Sequence, residues 1–238
     1  MGMFFEEHAK LLSDFARVSQ AAGARADYVQ GGGGNTSVKL PGGLMAIKAS
    51  GFCLSDIRPD KAYAVLDGAD LRNFYLTTEP SALADVEKEG SARAKADIRH
   101  IDGLADLRPS VEAGFHSILK TFVVHTHSVY ANLAACSTAC RPIAAQAFAG
   151  ANYTWGWVPY TDPGANLTFA IRDELRRVEK ETGKAPSVIL MQNHGIIVHD
   201  DDPDTALAIH TDANERLARM FGLSGTCLLY TSPSPRDS

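Results

Sequence analysis

Two apolar runs, far apart in the chain, each lead into histidines. The first run, residues 122–124, is followed by His125 and His127, and the second, residues 188–191, is followed by His194 and a glycine. On a strand, alternate side chains point to the same face, so His125 and His127 can reach one ion. Three neutral imidazoles with an open fourth position are typical of a catalytic zinc site rather than a closed structural one. A fold that uses this pattern must bring the two strand ends together.

The overall composition is that of an ordinary globular protein. The chain has 238 residues, of which 21% are charged and 45% hydrophobic, and a net charge of -5. This charge favours neither nucleic acid nor an acidic membrane surface as a partner, and no apolar stretch approaches the length of a membrane span. The N-terminus lacks the order of a signal peptide. The four cysteines show no Cys-x-x-Cys spacing, so we expect a cytoplasmic protein.

The periodicity of the sequence predicts both helices and strands. A glycine run at residues 31–34 precedes a predicted strand rather than a helix, which argues against a dinucleotide-binding site. Residues 35–40 and 44–49 are predicted to form a hairpin around a Pro-Gly-Gly turn. Further strands are predicted at 62–66, 122–127, 188–191 and 195–199, and helices at 3–22, from 109 onward, and at 129–135, 163–182 and 203–221. The expected architecture is a mixed sheet covered by helices on both faces.

The end of the chain differs in character from the rest. Residues 227–238 match the translation of a transposase adaptor used in DNA sequencing, so we interpret them as a non-native tail. The expected domain then spans residues 1–226 and is truncated at its C-terminus. The alternative is a flexible polar tail. Sequencing the genomic locus distinguishes the two.

Five short motifs, in this order, resemble those of the class II aldolase/adducin family. They are Gly34-Asn35-Thr36-Ser37, Ala49-Ser50-Gly51, Pro109-Ser110-Val111-Glu112, His125-Thr126-His127 and Asn193-His194-Gly195. The family includes fuculose- and rhamnulose-phosphate aldolases and ribulose-phosphate 4-epimerase, and the resemblance extends from the first helix to about Leu223. It implies an α/β fold with three α/β/α layers around a central mixed, largely antiparallel sheet.

The resemblance also implies roles for individual residues. His125, His127 and His194 would bind Zn²⁺ or another divalent transition metal, which stabilises an enediolate as a Lewis acid. Glu112, predicted near the positive end of a helix that starts at Ser110, would be the acid/base. From its position alone, Glu112 is better explained as an ordinary helix N-terminal charge, and the resemblance to the family reverses that preference. Tyr160 is a candidate general acid, since residues of a neighbouring subunit close the site in relatives.

A phosphate group would be bound by backbone N–H groups and small polar side chains in the remaining motifs. The candidates are Gly34, Asn35, Ser50, Gly51, Ser110 and Val111. Many relatives have a second serine where this chain has Val111. One hydroxyl contact is therefore lost, which leaves room for a substrate that carries a different charge or no phosphate.

These residues lead to a hypothesis for function. We expect a metal-dependent aldehyde-lyase that cleaves a ketose 1-phosphate into dihydroxyacetone phosphate and a short aldehyde. The resemblance implies a homotetramer that binds a small sugar phosphate, with no nucleic-acid or membrane partner. The alternatives are a sugar-phosphate 4-epimerase or dehydratase, the aldolase half of an aldolase/dehydrogenase fusion, and a non-catalytic, adducin-like interaction module. The intact histidines and Glu112 argue against the last of these.

Overall fold

A single sheet forms the centre of the structure, a computed structural model that describes residues 3–223. Its strands are β1 (Asn35–Lys39), β2 (Leu44–Lys48), β3 (Tyr63–Asp67), β4 (Ile98–Arg99), β5 (Phe122–Thr126), β6 (Trp155–Val158), β7 (Val188–Met191) and β8 (Gly195–Asp200). Their order across the sheet is β4-β3-β2-β1-β5-β8-β7-β6. All neighbouring strands are antiparallel except β6 and β7. The prediction of a mixed, largely antiparallel sheet is confirmed.

The register of the three central strands places the sequence motifs at one end of the sheet. Asn35 is paired with His125 across β1 and β5, and His125 is paired with Ile197 across β5 and β8. Because the strands are antiparallel, the start of β1, the end of β5 and the start of β8 meet at the same end of the sheet. Residues from distant parts of the chain therefore become neighbours there.

Helices cover both faces of the sheet. They are α1 (Met3–Glu7), α2 (Ala9–Gly23), α3 (Gly68–Thr77), α4 (Val86–Ala96), α5 (Ala113–Ile118), α6 (Val129–Ala135), α7 (Cys140–Ala147), α8 (Ala165–Thr182) and α9 (Pro203–Met220). Helices α1, α2, α6, α7 and α9 pack on one face, and α3, α4, α5 and α8 pack on the other. The three-layer α/β/α architecture is therefore confirmed.

Each face of the sheet has its own apolar core. Val124 and Val198 belong to the core under α2, α6 and α9, whereas Val123 and Ile197 belong to the core under α3, α5 and α8. Successive strand residues point to opposite faces, so a strand buried on both sides is apolar at consecutive positions. This explains why the central strands appear in the sequence as continuous apolar runs.

The predicted hairpin connects β1 and β2. Pro41 begins a single 3-10 turn, in which Gly42 has a φ of 76° and Gly43 a φ of 80°. Side chains with a Cβ rarely adopt these angles, so the two glycines allow the chain to reverse at low cost. The hairpin is confirmed, and its second strand ends at Lys48.

Two helix boundaries differ from the prediction. The helix expected over residues 3–22 is broken at His8, whose φ and ψ of -106° and 11° leave the helical region. The helix expected to start at Ser110 starts at Ala113, with Glu112 as its N-cap residue. Ser110 accepts a hydrogen bond on Oγ from the N–H of Glu112, at 3.2 Å. This local hydrogen bond competes with helix formation and delays the start of α5.

The two strands β4 and β6 were not predicted. β4 has only two residues and pairs with β3 at one edge of the sheet, and β6 pairs with β7 at the other edge. Short edge strands depend on a partner from elsewhere in the chain, and their own sequences contain little periodicity. No helix among residues 3–223 has both the length and the apolarity needed to cross a membrane. The tail predicted at 227–238 lies outside the described residues.

Candidate metal and acid–base site

His125 and His127 lie at the end of β5, with their rings on the same side. Their Nε2 atoms are 3.2 Å apart and their ring centroids are 4.9 Å apart. His125 is buried, and His127 is partly exposed. The spacing expected for alternate residues of a strand is therefore present in the structure.

His194 reaches the same place from the loop between β7 and β8. Its ring centroid lies 4.9 Å from that of His125 and 5.2 Å from that of His127. The loop reverses tightly because Asn193 adopts a φ of 54°, a conformation that asparagine tolerates better than most residues. A Cβ at Gly195 would collide with the carbonyl oxygen of Thr126, so only glycine allows this close approach of β8 to β5.

The protonation state of His125 suits a metal ligand. Its Nδ1 lies 3.0 Å from the carbonyl oxygen of Ile196, which can only accept a hydrogen bond. Nδ1 must therefore carry the proton, and Nε2 presents a lone pair towards the other two histidines. Burial lowers the pKa of His125 to about 3 and also lowers the pKa of His127. One nitrogen from each of the three histidines lies within 4.8 Å of the others, which fits a single divalent cation.

Glu112 lies beside the three histidines and is only 6% exposed. Its Oε1 is 3.1 Å from Nε2 of His194 and 3.7 Å from Nε2 of His125. Its Oε2 accepts a hydrogen bond from Nδ2 of Asn35 at 2.5 Å. Burial alone would raise the pKa of this carboxyl group. The neighbouring His125 and His194 outweigh that effect and hold the pKa of Glu112 well below its usual range.

Two of the residues predicted to bind phosphate, Asn35 and Ser110, contact Glu112 directly. Asn35 donates from Nδ2 to Oγ of Ser110 at 2.8 Å, so these two candidates are in direct contact. The N–H of Ser50 donates to the carbonyl of Arg108 at 2.9 Å, and Gly51 follows with a φ of 88°. The Ser50 loop therefore lies next to the segment that carries Ser110.

Two further phosphate candidates have contrasting surroundings. A Cβ at Gly34 would lie 2.8 Å from the carbonyl oxygen of His125, so the chain at Gly34 is packed directly against β5. Val111 is 77% exposed, and its side chain is therefore available for contact from outside the chain. The structure brings Gly34, Asn35 and Ser110 close to the histidines and Glu112, and leaves Val111 at the surface.

This geometry agrees with a comparison of the whole sequence. The sequence profile of the Class II Aldolase and Adducin N-terminal domain matches residues 13–221. The chain belongs to the class II aldolase and adducin family. Comparison with curated proteins gave no match.

Solved structures of other class II aldolase family proteins have the same fold. A class II aldolase domain from Thermoplasma acidophilum is 20% identical, with a TM-score of 0.71 over 88% of this chain and 93% of that one. YgbL from Klebsiella pneumoniae, described only as an aldolase/epimerase/decarboxylase, is 18% identical, with a TM-score of 0.61 over 97% and 96%. An L-fuculose-1-phosphate aldolase from Thermus thermophilus is 14% identical, with a TM-score of 0.54 over 95% and 100%. At these identities the likeness establishes the fold alone.

Lys48 is a buried polar residue of this class II aldolase family chain that was not among the candidates from the sequence. Lys48 is only 4% exposed, and its Nζ donates to the carbonyls of Phe52 at 2.7 Å and Gly32 at 3.2 Å. Burial lowers the pKa of the Lys48 ammonium, and the negative charge of Glu112 acts in the opposite direction. The signal in the sequence that could have indicated Lys48 is a lysine at the end of an apolar strand, directly before the Ala-Ser-Gly motif.

Support for the histidine pair comes from α9. His210 contacts Oγ1 of Thr126 through Nε2 at 2.8 Å, and Asn214 accepts a hydrogen bond from the hydroxyl of Ser128. Thr126 and Ser128 alternate with the histidines and point to the opposite face of β5 and its extension. Thr126 and His210 are 84 residues apart in the chain, so no local sequence pattern indicates this contact.

Tyr160, the candidate general acid of this class II aldolase family chain, lies at the surface. It is 56% exposed, and its hydroxyl donates to Oδ1 of Asp162 at 2.9 Å. Its N–H donates to Oε1 of Gln192, which belongs to the same loop as His194. Among residues 3–223, these are the two hydrogen bonds of Tyr160. The role of Tyr160 in the site of a neighbouring subunit stays a prediction.

Proposed function

We propose that the protein is a metal-dependent aldehyde-lyase that cleaves a ketose 1-phosphate into dihydroxyacetone phosphate and a short aldehyde. The observation that carries this proposal is the position of Glu112. Its Oε1 lies 3.1 and 3.7 Å from two histidines of a three-histidine cluster. A carboxylate beside a candidate metal site can move a proton at a carbon held there. Membership of the class II aldolase and adducin family supports the same chemistry.

His125, His127 and His194 are the residues that would hold the metal, which we propose to be zinc. One ring nitrogen from each lies within 4.8 Å of the other two, and the carbonyl of Ile196 orients the ring of His125. When bound, a divalent metal would act as a Lewis acid that stabilises negative charge on substrate oxygens. The protein's own contribution is to hold the three imidazoles in place, with a further coordination position for the substrate.

The proposed reaction breaks the bond between C3 and C4 of the ketose. The C4 hydroxyl loses its proton and becomes the aldehyde carbonyl, while C3 keeps the electron pair of the broken bond. Glu112 takes up a proton from solvent and delivers it to C3. In the reverse direction, the Glu112 carboxylate removes the same proton from dihydroxyacetone phosphate. Asn35 donates to Oε2, so Oε1 is the oxygen that faces the histidines and exchanges the proton. Tyr160 of the partner subunit is proposed to exchange the proton of the C4 hydroxyl.

The phosphate of the substrate is proposed to lie against the loops that carry Ser50 and Ser110, next to Lys48 at the end of β2. The ammonium of Lys48 has three N–H donors, of which two are used by the carbonyls of Gly32 and Phe52. The third donor, together with backbone N–H groups of the Ser50–Gly51 turn, can bind an anion. Val111 supplies only its N–H, so we include ketoses without a phosphate among the substrates to be tested.

The decisive experiment is a panel of ketose 1-phosphates, pentulose 5-phosphates and unphosphorylated ketoses. Aldehyde release and 4-epimerisation are measured on each, with the purified enzyme, after chelation, and after zinc is restored. We expect aldehyde release from a ketose 1-phosphate, its loss on chelation and its recovery with zinc. Epimerisation without net aldehyde release would favour the 4-epimerase. Absence of any reaction, or of a bound divalent metal after purification without chelator, would contradict the proposal.

We also propose that the active protein is a homotetramer with Tyr160 acting in a neighbouring site. The exposure of Tyr160 and its lack of a described contact with Glu112 support this arrangement. Mixing inactive Tyr160→Phe subunits with inactive Glu112→Gln subunits should restore activity, because some sites then receive both intact residues. If Tyr160 acts only within its own subunit, the mixture stays inactive. Light scattering measures the number of subunits independently.

A further inference from the structure

A second cleft lies at the end of the sheet opposite the histidines. It is lined by Lys39 at the end of β1 and by His199 near the end of β8, whereas Asn35 and His194 mark the other end of these strands. At about 3.4 Å per residue, Lys39 is roughly 14 Å from Asn35. The cleft has a volume of about 680 Å³ and lies between α3, α8 and the loop after α5. It is therefore separate from the candidate metal site.

Cations outnumber acids along the walls of this cleft. Five basic residues line it, namely Lys39, Arg72, Lys120, Arg172 and Arg176, against the two acidic residues Glu179 and Asp201. Three of the five have acidic partners. Lys120 pairs with Asp200 at 2.8 Å, Arg172 with Asp173 at 2.9 Å, and Arg176 weakly with Asp173 at 3.9 Å. Within residues 3–223, neither Lys39 nor Arg72 forms an ion pair with a carboxylate.

Lys39 and Arg72 are instead held by backbone carbonyls at the end of α5. The ammonium of Lys39 donates to the carbonyl of His116, and Nη1 of Arg72 donates to the carbonyl of Ser117 at 3.2 Å. Burial, and then the charge of Arg72, lower the pKa of Lys39 well below its usual range. Asp201 acts in the opposite direction, but its Oδ1 already accepts from the N–H and hydroxyl of Thr121. Lys39 and Arg72 thus donate to the carbonyls of consecutive residues, and both keep N–H donors available for a ligand. An anion bound between them would favour the charged form of Lys39.

Much of the remaining wall of the cleft is apolar. Its walls include Leu40, Leu44, Leu76, Ile118, Leu119 and Leu175. A volume of this size is typical of sites that enclose a small organic molecule. An inorganic anion alone would pair with the basic residues but would leave the leucines exposed to water. A neutral apolar molecule would cover the leucines but would leave the basic residues without a negative partner. The chemistry of the walls therefore matches a molecule with both an anionic group and an apolar body.

We propose that this cleft is a binding site for a small organic phosphate with an apolar or aromatic body. The phosphate lies between Lys39 and Arg72, and the body of the ligand lies against the leucines of α3 and α8. Charge-assisted hydrogen bonds from two cations to one phosphate supply affinity and orientation. The site is distinct from the proposed substrate site, and the inference does not depend on the proposed lyase activity.

The test uses 1-naphthyl phosphate as the probe, with binding followed by its fluorescence and by calorimetry. 1-Naphthol has the same apolar body without the charge, and inorganic phosphate has the charge without the body. We expect the phosphate ester to bind at least about tenfold more tightly than either partial probe. Equal binding of the ester and 1-naphthol would overturn the role of the cations, and absence of binding would overturn the proposal.

Variants locate the bound probe. Arg72→Gln and Lys39→Met should each weaken binding of 1-naphthyl phosphate about tenfold or more, because each removes a charged donor. Arg72 is exposed, so its replacement leaves the core intact and is decisive if Lys39→Met does not fold. Lys61→Met is the matched control for loss of an exposed positive charge. Lys48→Met separates the two sites, since binding lost in Lys48→Met but kept in Arg72→Gln would assign the probe to the metal site and overturn the proposal.

Discussion

Glu112 is nearly fully buried, yet both of its carboxylate oxygens have polar neighbours. Oε1 faces His194 and His125, and Oε2 accepts from Asn35. A buried carboxylate without such partners would cost several kcal/mol of folding free energy, so the position of Glu112 is held by these contacts. At the scale of single residues, this is the arrangement that makes proton transfer by one oxygen chemically reasonable.

Replacing Glu112 by glutamine should abolish proton transfer while the side chain keeps its shape. We expect turnover of the substrate identified in the panel to fall by about 10²-fold or more, with bound metal retained by the three histidines. Turnover per folded chain and metal content are measured together. Glu174→Gln is the matched control, because Glu174 is also buried but contacts Arg177 and the N–H of Trp157 instead. Full turnover by Glu112→Gln would remove this residue from the mechanism.

Replacing Lys48 by methionine tests the proposed phosphate contact. Methionine fills a similar volume but removes the positive charge and all three donors, so we expect KM for the phosphorylated substrate to rise by about tenfold or more. The value of kcat should change less, because Lys48 is not proposed to move a proton. Lys61→Met, an exposed lysine, serves as the control and should leave KM unchanged. An unchanged KM in Lys48→Met would exclude the contact.

At the scale of elements, the site depends on helices that pack closely against one another. Helix α4 crosses α8 at Gly90, where an added Cβ would collide with the Cβ of Ala165 and lie 2.7 Å from Oη of Tyr75. Helix α5 carries Glu112 at its N-terminus and contacts both α3 and α8. Because α4, α5 and α8 pack together, a change in spacing at Gly90 is transmitted to the element that holds the carboxylate.

Gly90→Ala should therefore destabilise the protein, although alanine has the higher helix propensity. The propensity gain of roughly 0.5–1 kcal/mol is smaller than the cost of about 1–3 kcal/mol for overpacking a close helix contact. Urea unfolding measures the net change in the free energy of unfolding. Ser91→Ala is the control at the next, exposed position of α4 and should be neutral or slightly stabilising. A stabilised Gly90→Ala variant would mean that the two helices separate easily.

At the scale of the whole molecule, buried histidines make stability depend on pH. Burial lowers the pKa of His199 and of His210 to about 3, whereas the unfolded chain takes up these protons near pH 6.5. Between these values the unfolded state binds more protons than the folded state. The stabilisation is therefore fully present above about pH 6.5 and is lost as the pH falls towards about 3.

We expect each of these histidines to lower the free energy of unfolding by about 1.4 kcal/mol per pH unit over that range. Urea unfolding of the metal-free protein between about pH 6 and pH 4 measures the slope without a contribution from metal binding. His210→Gln should reduce the slope of the free energy of unfolding against pH by about 1.4 kcal/mol per pH unit, the contribution of one histidine. His100→Gln, at an exposed position, should leave it nearly unchanged. An identical slope in wild type and His210→Gln would show that His210 is protonated in the folded state.

The sequence alone determined the kinds of elements present and the residues that carry the chemistry. Apolar runs, glycine turns and helix periodicity are local properties, so the central strands, the β1–β2 hairpin and the helices α6, α8 and α9 were predicted correctly, whereas α3 and α7 were not predicted. The order of five motifs identified the family, and alternation along β5 predicted that His125 and His127 share a face. The edge strands β4 and β6 were not predicted, since each depends on a partner strand outside its own segment. The start of α5 was predicted too early, because the local hydrogen bond from the N–H of Glu112 to Ser110 holds residues 110–112 out of the helix.

Only the tertiary structure decided which side chains meet. Asn35 and Glu112 are 77 residues apart in the chain, and Thr126 and His210 are 84 residues apart. The cations of the second cleft, Lys39 and Arg72, come from different elements in the same way. No local pattern encodes such contacts, because they arise from strand register and helix packing across the entire sheet. The chemistry of each residue can be read from its type, but its partner, its burial and therefore its pKa depend on the assembled fold.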